Sequence, residues 1–338
     1  MPTLRALAAL ITLWLFAIAC SSGDGSAPST SATVAPSATT AAAASASAAQ
    51  SATAQNATAS PSASASAEGA PGDRPPPFLW EVTKGDKKSW LFGTMHLGTD
   101  AEKELHPVVF ERLSAARVVV FEANVFDMDP FAAAKLAMLP EGESVKNKIK
   151  PENWKALVDR VGSILMPEST LERFKPWFLV TLVLQDMLPK TEPMDATLYN
   201  RAKAAQKELV FLETVEEQIQ LVDKSMDVKL LDDTLADLPL AERMLLSLAD
   251  AYKKGDLDKL TGLTFDPAEM KKHPAMFDTL LFERNRRWIP KLSPLLEKGD
   301  VFIAVGAAHL LGDKSVTELL VQKGYAAKRD ATVKSPTP

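Results

Sequence analysis

The sequence predicts an α/β domain, with α+β as the second reading: a mixed central sheet built from N- and C-terminal segments around a mainly helical middle. Three observations carry this expectation. Short apolar runs of strand length recur at Phe78–Val82, Ser89–Thr94, Arg117–Glu122 and Glu208–Leu212, and again at Val301–Val305 and Tyr325–Arg329. Residues 226–295 carry helical spacing, broken near Pro239, Gly255, Pro267 and Pro274. The chain also changes character near residue 75, so its bulk composition (46% apolar, 24% charged) averages two unlike parts.

The elements follow in order. Phe78–Val82 and Ser89–Thr94 flank Lys84-Gly85-Asp86 and read as a hairpin. Ala101–Ala115 is helical with a break at Pro107, and Arg117–Glu122 is a buried strand. Asp129–Met138 starts as a helix around Pro130, a residue suited to a first turn. Pro151–Gly162 and Ser169–Leu188 are further helices, the second interrupted at Pro176, with Ser169 and Glu172 at capping-box spacing. Asp195–Gln206 is a helix that Asp195 is expected to cap. Thr214 and Glu217 repeat the capping-box spacing ahead of the helix Thr214–Lys224. Ser315–Lys323 is the last helix, stopped by Gly324.

Ahead of this domain lie two different segments. Arg5 precedes the apolar run Ala6–Ala19, which is too short to span a ~30 Å hydrocarbon core comfortably and has the flanks of a secretory signal. The run ends at Ala17-Ile18-Ala19-Cys20, which resembles the lipobox of bacterial lipoproteins. That resemblance implies cleavage before Cys20 and its acylation, with the protein held to the membrane of the cell envelope through lipidated Cys20. An exported protein otherwise uses cysteine in pairs, and this chain has one. From Ser21 to Gly72 the chain is nearly all Ala, Ser, Thr and Pro, with Asp24 and Glu68 its only charges. Such a segment buries too little apolar surface to offset its ordering entropy and reads as a tether. The expected organisation is therefore a signal peptide over 1–19, a lipidated Cys and tether over 20–75, one large domain over 76–331 and a disordered tail over 332–338.

Composition also narrows the function. Acidic residues outnumber basic ones, 43 to 38, which argues against a nucleic-acid partner. One cysteine excludes a disulfide framework. The chain shows no Ser-nucleophile elbow, no phosphate-binding loop and no zinc-finger cysteine pattern.

Of four histidines, two sit in near-duplicate surroundings: Phe92-Gly93-Thr94-Met95-His96-Leu97-Gly98 and Val305-Gly306-Ala307-Ala308-His309-Leu310-Leu311-Gly312. Chance gives about 0.2 Gly-x-x-His matches in a chain with this Gly and His content. Two matches, each after an apolar strand, exceed that. A Gly at a strand end permits a sharp turn, including positive φ, after which His can project into a crevice at the carboxyl edge of the sheet. His96 and His309 are thus candidate metal ligands, with two turn-stabilising histidines as the alternative. Glu122 ends the run Val118–Phe121, where a carboxylate needs a metal, an Arg or a proton; it is a candidate third ligand or general base. Zinc is compatible with such a set. Arg284, in Glu283-Arg284-Asn285-Arg286-Arg287-Trp288, either binds a substrate carboxylate or belongs to a solvated basic face. Glu213 follows its strand as Glu122 does, and serves as a second strand-end acid or as a cap. His106 and His273 read as capping or surface residues.

FGTMHLG, VVVFEAN, MDATLYNRAKAAQKELVFLETVEEQ, LLFERNRRW and FIAVGAAHLLG together resemble the TraB/GumN family, which includes the Tiki metalloproteases, over roughly residues 78–330. The resemblance implies an α/β fold with both histidine motifs at one site. It also implies a divalent-metal-dependent peptidase, with manganese or cobalt as the metal and a peptide or protein as substrate. Carried over, His96, Glu122 and His309 take the metal and catalytic positions, with Arg284 and Asn285 lining the site. The residues alone leave two rivals: a non-catalytic lipoprotein that captures a peptide, a signal or haem, and a metal-independent, esterase-like hydrolase with His as base.

Overall fold

A computed structural model describes residues 74–96, 98–162 and 166–330. The signal segment, Cys20, the greater part of the tether and the C-terminal tail lie outside the described residues.

Six strands form one sheet: β1 (Leu79–Lys84), β2 (Lys87–Thr94), β3 (Val118–Phe121), β4 (Glu208–Phe211), β5 (Val301–Gly306) and β6 (Ala326–Arg329). Their order is β4-β3-β5-β2-β1-β6. Strands β4, β3, β5 and β2 pair in parallel, while β1 is antiparallel to both β2 and β6. The sheet is mixed and draws on both ends of the domain, and helices fill the middle of the chain. The fold is α/β.

Burial explains the sequence pattern strand by strand. Val118–Phe121 and Val301–Gly306 are buried at every residue, so they read as unbroken apolar runs, as central parallel strands covered on both faces must. β6 alternates exposed and half-buried residues, as an antiparallel edge with one wet face does. Each fully buried Val, Ile or Phe contributes about 1.5–3 kcal/mol relative to exposure, so these two short strands anchor the core.

Helices begin largely where the sequence places them. Thr214 and Glu217 make the reciprocal capping box of the helix Val215–Ser225. His106 caps the helix Pro107–Ala115 by accepting from the Val108 N–H. Pro239 sits in the first turn of Leu238–Lys253, so it opens that helix rather than breaking it. Two expectations fail. The box at Ser169 is not formed: the short helix Glu168–Leu171 starts after Pro167, and Glu172 instead accepts from the Ser144 hydroxyl at 3.0 Å. Asp195 does not cap its helix, Met194–Ala204, because Pro193 takes the cap position and Asp195 faces inward.

The paired glycines also differ from expectation. Neither Gly93 nor Gly306 has positive φ; both lie within strands. A Cβ on Gly93 would stand 2.9 Å from Ala307 Cα and 3.0 Å from Ala307 Cβ. Gly93 is therefore small so that the segment leaving β5 can cross close over β2. The turns fall to the second glycine of each motif, Gly98 at φ +78° and Gly312 at φ +66°.

Candidate active site

Because β2, β3, β4 and β5 run parallel, their carboxyl ends lie along one edge of the sheet. Each strand is followed there by a chemically active side chain: His96, Glu122, Glu213 and His309. This is the edge at which open α/β sheets place ligands. Register brings them close. Phe121 pairs with both Phe211 and Ala304, and the Glu213 N–H donates to the Glu122 carbonyl at 2.8 Å.

The helix Glu283–Leu296 supplies the opposing wall. Arg284 is fully buried and sits at the centre. Its Nη2 donates to Glu122 Oε2 at 2.6 Å and lies 2.7 Å from Glu213 Oε2. Its Nε donates to Glu213 Oε2 at 2.9 Å, and its Nη1 to His309 Nε2 at 2.9 Å and to the Leu280 carbonyl at 3.2 Å. The guanidinium lies 4.7 Å over the Trp288 ring, and that ring lies 4.4 Å from His309. Arg287 adds a bond to Glu213 Oε1 at 3.0 Å. Glu122 is further held by the Gly306 N–H at 2.7 Å and by Gln218 at 3.1 Å. Arg286, on the same helix, is exposed and pairs with Asp278.

The tautomer of His309 follows from its partners. Asn285 donates its amide N–H to the Lys314 carbonyl at 2.9 Å, which turns Oδ1 toward His309 Nδ1 at 2.6 Å. A carbonyl oxygen only accepts, so Nδ1 carries the proton and Nε2 accepts from Arg284. Burial first, then the charges of Arg284 and His96, hold the His309 pKa well below the usual histidine range. The ring is neutral, so its 3.8 Å approach to Glu122 Oε1 is not an ion pair.

That depression has a testable consequence. Below the unfolded pKa of about 6.5, the unfolded chain binds a proton that the folded one refuses, so stability falls as the solution is acidified. We expect the slope between pH 6.5 and 5 to flatten by up to about 1.4 kcal/mol per pH unit when His309 is replaced by Asn, read by urea unfolding at each pH. An unchanged slope would show that His309 carries its proton in the folded state.

His96 has a carboxylate partner in Asp195. Its Nδ1 lies 2.5 Å from Asp195 Oδ2, and the Thr94 hydroxyl donates to Asp195 Oδ1 at 2.9 Å. A carboxylate gripped by a strand-end Thr and facing an imidazole is the orienting half of a general-base dyad. His96 and Asp195 have side chains 13% and 12% exposed, so the dyad meets solvent at the rim while Arg284 and His309 lie beneath it.

The expected metal set is not assembled in this arrangement. Among the described residues no group of three or more His, Cys, Asp or Glu side chains is placed to hold a metal ion. The reason is Arg284. It covers the His309 Nε2 lone pair and one oxygen of Glu122, while Gly306 covers the other. A divalent ion ~4 Å from that guanidinium would meet a repulsion on the order of 8 kcal/mol at an effective dielectric constant of 20. The donor set as it stands does not fit a divalent ion. Arg284 likewise does not present an open fork to a substrate carboxylate, because Glu122 and Glu213 already occupy it.

Comparison with known proteins identifies a family and several relatives. A sequence model described as the TraB/PrgY/gumN family matches residues 78–329. The uncharacterized protein YbaP of Shigella flexneri is 28% identical over 250 residues, covering 70% of this chain and 89% of that protein. YbaP of Escherichia coli (strain K12) is 26% identical over 270 residues, covering 72% of this chain and 96% of its own. A zebrafish (Danio rerio) protein named metalloprotease TIKI1 is 24% identical over 306 residues, covering 73% of this chain and 62% of that protein. No solved structure matches significantly.

Proposed function

The chain belongs to the TraB/PrgY/gumN family, and on that premise we propose that it is an exported hydrolase of peptides or proteins in the bacterial cell envelope, anchored through acylated Cys20. The Tiki relatives, by their name as metalloproteases, support the peptidase class. The observation that carries the reading is the His96–Asp195–Thr94 chain at the carboxyl end of β2. With Nδ1–H held by Asp195, Nε2 is the basic nitrogen of His96. It takes a proton from water as the oxygen adds to the substrate carbonyl, and returns that proton to the leaving amine. Asp195 stabilises the imidazolium formed in between.

Cleavage of a quenched-fluorescent peptide library by the full mature chain tests this. The wild type should turn over at least one peptide. His96→Ala should lose about 100-fold or more in rate while still binding that peptide, because general-base catalysis contributes on that scale. Binding without turnover by the wild type would instead favour a protein that captures a peptide, a signal or haem.

A further inference from the structure

We infer that the Arg284 guanidinium is the resident cation of this site, standing where a metallopeptidase would hold its divalent ion, so that the cluster is assembled without a metal.

The groups around Arg284 are the donors a divalent ion would be given: two carboxylates, one imidazole nitrogen and a backbone carbonyl. They converge on the guanidinium from β3, β4, the segment after β5 and the turn before its own helix. Backbone geometry is shaped to receive it. The π-helical turn Asp278–Phe282 precedes the helix, and its Leu280 carbonyl accepts from Nη1. Such widened turns are frequent at functional sites. Trp288, one helical turn on, floors the guanidinium and is itself fully buried. Charge is already balanced. Glu122 and Glu213 carry two negative charges, and Arg284 and Arg287 two positive ones, so an added divalent ion would leave an excess of two in a buried place.

Arginine suits this use chemically. It does not deprotonate at any working pH, and its planar fork can meet several acceptors at once. Unlike a metal, it opens no coordination position for water, so the nucleophile must be activated elsewhere. The His96–Asp195 dyad at the rim provides a separate base for that task. The inference deepens the hydrolase reading but is tested by metal uptake alone, so the two can fail independently.

The test is metal uptake by the purified full chain after chelator dialysis, with Mn²⁺, Co²⁺ or Zn²⁺ added back. Bound metal is counted by elemental analysis, and Co²⁺ ligand-field bands are recorded. The wild type should take up far less than one equivalent, with no thermal shift. Arg284→Met, which vacates the place and keeps the volume, should take up about one equivalent, lost again when His309→Ala is added. Uptake of about one equivalent by the wild type, abolished by His309→Ala, would overturn the inference. So would a folded Arg284→Met that takes up none. If Arg284→Met does not fold, the wild type and His309→Ala decide the matter on their own.

Discussion

The Arg284→Met variant is expected to lose about 3–5 kcal/mol of folding stability, because it leaves buried carboxylates without their partner. Glu213 is 3% exposed at its side chain and Glu122 10%, so neither can recover hydration cheaply. Glu213 keeps Arg287, and Glu122 keeps Gly306 and Gln218, but both lose the guanidinium that bridges them. Two negative charges then face each other across the vacated space. The neighbouring Arg286 gives the contrast. It is exposed and pairs with Asp278 at the surface, so Arg286→Ala should change stability by less than about 0.5 kcal/mol. Urea unfolding of the three proteins at neutral pH measures the difference. Acidification adds a second readout: the deficit of Arg284→Met should shrink as the unpaired carboxylates take up protons. Adding Glu213→Gln to Arg284→Met should restore part of the loss at neutral pH by removing one buried charge. A deficit below about 1 kcal/mol would mean that water reaches the cluster and that Arg284 is not its organising charge.

Residues that follow strands were legible in the sequence; of those borne by helices, Arg284 and Asn285 were named, whereas the site places of Asp195, Gln218 and Trp288 were not. Glu122, Glu213, His96 and His309 each trail an apolar run, and a parallel sheet delivers all such residues to one edge. Strand periodicity therefore carried positional information across stretches of the chain far apart. Asp195 carried no such mark. An Asp near a helix start usually caps it, and nothing within the local sequence tells Pro193 from Asp195 as the cap. Its partner, His96, lies on another element, so only the docking of Met194–Ala204 against β2 reveals the pairing. Gln218 and Trp288 escaped notice for the same reason: both are ordinary residues of amphipathic helices until the facing element is known. The glycine pair was flagged for the wrong cause. Positive φ belongs to Gly98 and Gly312, whereas Gly93 is small because Ala307 crosses it. Close approach between two distant segments leaves no local signature, while a turn does. The Ser169 box failed because Pro167 takes the cap position two residues earlier than the spacing implies.

The Asp195→Asn variant should lower turnover of a cleaved peptide by about two to four orders of magnitude while the fold and peptide affinity persist. The substitution keeps the size of the side chain and its place between Thr94 and His96. It removes the charge that stabilises His96 when the ring takes a proton from water. It also lets an amide N–H face Nδ1, which would drive the ring into the tautomer whose Nε2 is protonated and cannot act as base. The loss should therefore fall on kcat, with KM little changed, because the interaction strengthens only as charge forms on the ring. Thr94→Val tests the arrangement one step further out. Losing the hydroxyl leaves the Asp195 charge in place but frees its rotation, so a smaller loss, about tenfold, is expected. The pH profile separates this account from simple misfolding. In the wild type the acidic limb of kcat/KM reports protonation of His96, and in Asp195→Asn that limb should move to lower pH, since the neutral amide no longer favours the imidazolium. A purely structural role for Asp195 would lower the amount of active protein and leave the limb where it was. An Asp195→Asn enzyme with wild-type kcat and an unmoved limb would remove His96 as the base and return the search for one to Glu122 and His309.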